Sequence, residues 1–156
     1  MIGPLRQLLR QLGERPGPPP DPDQVPLAMA ALLVEAARAD HHVKEAELAQ
    51  IGTLLAVRLD LAPEKATALV QRARAAVERS VSLYEFTRPL HESLDYGQKQ
   101  ELVRMLWHVV LADRRLDKYE DYLVGKVAEL LYVVRGDVVR LRHEVQQALP
   151  ATGGGD

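Results

Sequence analysis

A chain of 156 residues, 47% hydrophobic and 27% charged, suits one domain with its own core. Its 20 Lys and Arg stand against 22 Asp and Glu, a net charge of −2, which argues against a nucleic-acid binder that works by bulk phosphate neutralisation. The absence of cysteine excludes disulfides, thiolate zinc sites and cysteine nucleophiles, and fits a reducing cytoplasm.

In chain order, Pro4 to Gly13 predicts a short amphipathic helix with Leu5, Leu8, Leu9 and Leu12 on one face. It is either a peripheral membrane or partner-docking anchor, or a helix packed back on its own domain. Its shortness and its two basic residues, Arg6 and Arg10, favour packing. Glu14 to Gln24 is too rich in proline for regular structure and reads as an extended spacer. Together, residues 1–25 form an N-terminal arm, residues 26–150 the domain and residues 151–156 a flexible tail.

Pro26 to Arg38 predicts a first core helix, apolar nearly all round until Glu35 and therefore buried on most sides. Its eight-residue apolar run, Leu27 to Val34, falls short of the ~20 residues needed to span a bilayer. No basic region leads into a long apolar stretch at the N-terminus, so no secretory signal is expected. Asp40-His41-His42 breaks the first core helix. A helix from Lys44 to Val57 follows, facing inward with Leu48, Ile51, Leu54 and Leu55. Pro63 suits the start of a helix running to about Arg79, with Ala66, Leu69, Val70, Ala73 and Val77 on one face.

Ser82 with Glu85 is a capping box for a helix over Leu83 to Ser93, in which Pro89 sets a kink or a short length. Asp95 with Gln98 is a second box and starts the helix carrying Leu102, Leu106, Val109 and Val110. Asp117 with Glu120 is a third, before Leu123, Val127, Leu130 and Leu131. A last helix spans about Asp137 to Leu149, with Val138, Leu141, Val145 and Leu149 inward and Pro150 as its stop. No window alternates with a period of two, so no sheet is predicted. The fold class is all-α: a bundle of about seven to eight helices built on two pseudo-repeated helical hairpins.

The repeat aligns Leu32 to Val57 with the more complete stretch at Leu102 to Leu131. One gapless offset puts Asp113 over Asp40, Glu120 over Glu47, Ala112 over Ala39 and Val124 over Ile51. Each copy is a helix, an acidic turn and a helix. The turns read Ala39-Asp40-His41-His42-Val43-Lys44-Glu45-Ala46-Glu47 and Ala112-Asp113-Arg114-Arg115-Leu116-Asp117-Lys118-Tyr119-Glu120.

That pattern, with Leu83-Tyr84-Glu85-Phe86-Thr87-Arg88, Leu94-Asp95-Tyr96 and Leu106-Trp107 between and within the copies, resembles the tellurite-resistance TerB-like family in its stand-alone bacterial branch. The resemblance covers about Val25 to Leu149. It implies a small cytoplasmic all-helical protein without enzymatic activity, linked to tellurite and general stress resistance. It also implies an acidic surface able to bind a divalent metal. Two departures stand out. The family usually has Gly after the turn Asp, where this chain has His41 and Arg114. If that position needs positive φ, each costs about 1 kcal/mol. Lys44 also stands in the first turn where Asp117 stands in the second.

The candidate metal ligands are Asp40, Glu47, Asp113, Asp117 and Glu120. Their oxygens suit Ca²⁺ or Mg²⁺, and His41 and His42 would shift the preference toward Zn²⁺. Each carboxylate also has a local use as a cap or turn acceptor, and that use alone accounts for it. Of the other histidines, His108 reads as core or half-buried, and His91 and His143 as exposed. Trp107, Tyr84 and Phe86 read as core. No nucleophile setting or phosphate loop occurs. The functional expectation is a non-enzymatic interaction module with protein partners. The alternatives are a co-chaperone-like adaptor lacking a J-domain and a metal-dependent hydrolase.

Overall fold

The computed structural model describes residues 3–13, 22–38, 43–112 and 118–149, leaving aside the side chains of 10–13 and 118–120. Within them are eight helices and no strand: α1 Pro4–Gly13, α2 Gln24–Ala37, α3 Glu45–Leu59, α4 Pro63–Arg79, α5 Tyr84–Ser93, α6 Tyr96–Ala112, α7 Lys118–Leu130 and α8 Arg135–Ala148. The all-α expectation holds. Among the described residues no helix is long and apolar enough to cross a membrane.

The apolar circumference of α2 puts it at the centre. Met29, Ala30, Ala31, Leu32 and Leu33 are all fully buried. The helix packs against α3, α4, α5, α6 and α7. Complete burial of a leucine contributes about 1.5–3 kcal/mol, so Leu32 and Leu33 make α2 the hub of the core. Its alanines let neighbours approach, and α4 answers with Ala66 and Ala73, each at most 1% exposed. α2 begins at Gln24, two residues before Pro26. Proline is tolerated there because first-turn N–H groups have no intrahelical acceptor.

The inward faces predicted for α4 and α8 are the buried ones, except that Leu149 is half-buried. On α3, Leu48, Ile51 and Leu55 are buried and Leu54 is half-buried. Among the described residues the Asp95–Gln98 box closes on both sides and the Ser82–Glu85 box on one, its serine capping Tyr84 instead of Glu85. Asp95 Oδ1 accepts from the Gln98 N–H while Gln98 Oε1 accepts from the Asp95 N–H, both at 2.8 Å. Glu85 Oε2 accepts from the Ser82 N–H at 3.0 Å, and Ser82 Oγ accepts from the Tyr84 N–H at 3.1 Å. Pro89 lies inside α5, which stays ten residues long.

α1 lies on α3 and α6. Leu5 and Leu8 are buried there. Gln98 Nε2 donates to Pro4 O at 2.8 Å, and Arg6 Nη2 donates to Val57 O at 2.8 Å. Of the two readings of this helix, packing on its own domain matches the structure. Tyr84 departs from expectation: it is 55% exposed, whereas Trp107 is core. Trp107 Nε1 donates to Val138 O at 3.1 Å, under the guanidinium of Arg142. Val103, Leu106, Val110 and Leu111 around Trp107 on α6 made it legible, whereas Tyr84 sits in a first turn, where helices commonly meet solvent.

Candidate functional site

The two copies of the repeat supply the helix pairs α2–α3 and α6–α7, and the acidic residues between each pair in sequence lie outside the described residues. Ala37 ends α2, Lys44 precedes α3 and Ala112 ends α6. All three line one cavity of about 330 Å³, with Glu47, Ile51, Leu54, His108, Val109 and Leu149. The helix ends that bound the first turn and the one that enters the second therefore share one rim.

Of the five predicted ligands, Glu47 is placed, on that rim. Asp40, Asp113, Asp117 and the Glu120 side chain lie outside the described residues, as do His41, His42 and the third capping box. Glu120 contributes its backbone to the first turn of α7. Glu47 already has one local bond, because its Oε1 accepts from the Lys44 N–H at 3.2 Å. Only that half of a capping box can form. The Lys44 ammonium has no lone pair to accept from the Glu47 N–H, which bonds to Lys44 O at 3.0 Å. One Glu47 oxygen thus remains for another ligand.

His108 is the second polar wall of the cavity. It is half-buried and makes no hydrogen bond among the described residues. Burial pushes its pKa down, and Arg58 and Arg104 add to that, against Glu101. Those groups belong to a charge ladder across three helices. Arg58 meets Glu101 at 3.0 Å, Arg104 meets Glu101 at 3.6 Å, and Glu144 accepts from both Arg104 and Arg140 at 2.8 Å. The two arginine bonds hold the Glu144 carboxyl below its ordinary pKa. A neutral His108 keeps one nitrogen lone pair for a hydrogen bond or a metal.

A carboxylate, an imidazole and a hydrophobic floor can bind a cation or a small polar group, with the Lys44 ammonium on the same wall as an opposing charge; no Ser, Thr or Tyr lines the cavity among the described residues. The sequence reads His108 as core or half-buried, and the structure makes it half-buried; the acidic turns were not part of that reading. The available signal was its position four residues before Ala112, one helical turn from the second acidic turn. Among the described residues no group of three or more potential metal ligands clusters.

A family model described as "Tellurite resistance protein TerB" matches residues 26–143. No curated protein and no solved structure matches the chain.

Proposed function

The chain belongs to the TerB family of tellurite resistance proteins, and from that membership we propose that it is a non-enzymatic, cytoplasmic interaction module in stress resistance whose acidic end binds a divalent cation and engages a protein partner. The observation that carries this reading is the common rim: Ala37, Lys44 and Ala112, which bound the acidic turns, line one cavity. Asp40 and Asp113 each lie within three residues of that rim in sequence. A hard cation would take carboxylates from both turns, with Glu47 between them. Glu47 and a neutral His108 are the placed groups fit to complete such a ligand set, with oxygen for Ca²⁺ or Mg²⁺ and nitrogen favouring Zn²⁺. Cation binding would lower the repulsion between the turns and fix the surface a partner meets.

Calorimetric titration with Ca²⁺, Mg²⁺, Mn²⁺ and Zn²⁺, on the wild type and on an Asp40→Ala/Asp113→Ala double variant, tests this. Binding heat in the wild type that vanishes in the double variant is the expected result. No heat and no thermal shift with any ion removes the cation from the proposal.

A further inference from the structure

Between α7 and α8 lies a groove of about 610 Å³. Its floor is apolar and buried, with Trp107, Val133 and Val138. Its walls are apolar and open: Tyr122 on α7 and Val139 on α8 are each more than half exposed. An exposed apolar wall above a buried apolar floor marks a surface that another molecule covers.

Two residues at this face break local rules. Gly125 lies in the middle of α7 and lines the groove. A Cβ there would meet no atom within 4 Å. Glycine in a helix interior costs about 1 kcal/mol against alanine, and no packing among the described residues requires it. What it provides is depth in the groove. Tyr132, just past the end of α7, holds φ at 61°, which is costly for a residue with a Cβ, yet its side chain is mostly exposed. An exposed side chain on strained backbone points to use at the surface. Tyr132 lines a second cavity of about 330 Å³, and Glu129 lines both, so the two are joined.

Charge and length describe the occupant. Three cations and two anions line the groove. Asp121 meets Arg142 at 3.1 Å, and Glu129 meets Lys126 at 3.5 Å. Arg135 is left exposed and without an ion pair among the described residues. In a chain of net charge −2, the groove therefore carries a positive excess. On α7 the lining runs from Asp121 to Glu129, about 12 Å or two helical turns. Both walls are helices, whose backbone groups are bonded internally. An extended peptide would find no backbone partners there, whereas a helical segment satisfies its own.

We propose that this groove docks an acidic amphipathic helix of a partner protein. Aliphatic side chains one turn apart enter the space beside Gly125 and lie over the apolar floor, and an Asp or Glu on the flank pairs with Arg135. Tyr122, Tyr132 and Arg135 are of the residue types that dominate such interfaces. The groove shares no lining residue with the cavity at the acidic end, and the proposal does not rest on cation binding there.

The test is selection from a helix-biased random peptide display library on the intact protein. Affinities of the selected peptides are then measured by fluorescence anisotropy on the wild type, Gly125→Leu and Arg135→Glu. The proposal expects enriched sequences that combine aliphatic residues at i and i+3 or i+4 with Asp or Glu. Their binding should weaken at least about tenfold in each variant and fall as salt is raised. Gly125→Leu puts a good helix former into open space, so it should melt no lower than the wild type. Should it fail to fold, Arg135→Glu and Val139→Glu, at exposed positions, decide. No enrichment over a blank surface, basic or uncharged sequences, or binding that survives both variants overturns the proposal. Self-association of the wild type in sedimentation that Gly125→Leu abolishes would assign the groove to a second copy of this chain and overturn the partner helix.

Discussion

Ala37 and Ala112, the last residues of α2 and α6, line the same cavity. They are far apart in sequence, and each leads into an acidic turn. α2, the hub, belongs to the first copy and packs against both α6 and α7 of the second. The cation proposal rests on this juxtaposition of the two helix ends.

Glu47 separates capping from cation binding. Replacing it with Gln keeps an oxygen to accept from the Lys44 N–H but removes the charge. Replacing it with Ala removes both, at a cost of about 1 kcal/mol. Glu47→Gln should therefore melt near the wild type and bind divalent cations more weakly, whereas Glu47→Ala should lose both stability and affinity. Equal cation affinity in the wild type and Glu47→Gln would leave Glu47 as a cap alone.

Gln98 ties the N-terminal helix to the bundle. Its side chain closes the Asp95 box and donates to Pro4 O from a buried position. Gln98→Ala should cost about 1–3 kcal/mol in urea unfolding, because buried partners are left unsatisfied. Amide exchange in α1 should rise with it. Protection of α1 that matches the wild type would show that Leu5 and Leu8 hold the helix unaided.

His108 gives stability a pH dependence of known sign. Its unfolded pKa is about 6.5, and its folded value is pushed below that by burial and by Arg58 and Arg104. Between the two values the unfolded chain binds more protons, so this contribution is present above the unfolded pKa and is lost as pH falls through the folded one. Denaturant unfolding of the wild type should weaken between about pH 7 and pH 5 more than that of His108→Gln. Parallel curves for the two proteins would contradict this assignment.

Tyr132, with φ at 61° and its ring 4.8 Å from the His91 ring between centroids, has a stability signature of its own. Glycine at its left-handed position relieves about 1 kcal/mol of strain, while loss of the ring forfeits about 0.5–1.5 kcal/mol of stacking on His91. Tyr132→Gly should fall close to the wild type, and Tyr132→Ala, which keeps the strain and loses the ring, should be the less stable variant. The reverse order in thermal melts would mean that the turn is not strained.

The helices were legible where their signals are local. The Asp95–Gln98 box joins residues three apart and forms as its spacing implies, while of the Ser82–Glu85 box the Glu85 half forms and Ser82 Oγ caps Tyr84 instead. The apolar run of α2 announced a hub because no polar stripe interrupts it. Contacts between helices were not legible. Nothing in the spacing of His91 and Lys99 indicates that α5 and α6 turn them toward each other, and nothing near Pro4 points to Gln98. Tyr84 illustrates the same limit: an aromatic residue reads as core, yet at the first position of α5 it is 55% exposed. At the acidic end the repeat fixes only the order helix, acidic stretch, helix in each copy; that Ala37 and Ala112 line one cavity comes from the fold, and residues 39–42 and 113–117 lie outside the described residues. His108 entered only through the folded arrangement.

The most direct test of the shared acidic end is paramagnetic broadening of amide resonances by Mn²⁺ in the isotope-labelled protein. The proposal predicts that signals from Ala37, Lys44 and Ala112 broaden together at low ion ratios, with Glu47 among them, and recover when Ca²⁺ or Mg²⁺ displaces the probe. Broadening at one turn alone, or uniformly over the acidic residues of the surface, would contradict a cation held between the two turns.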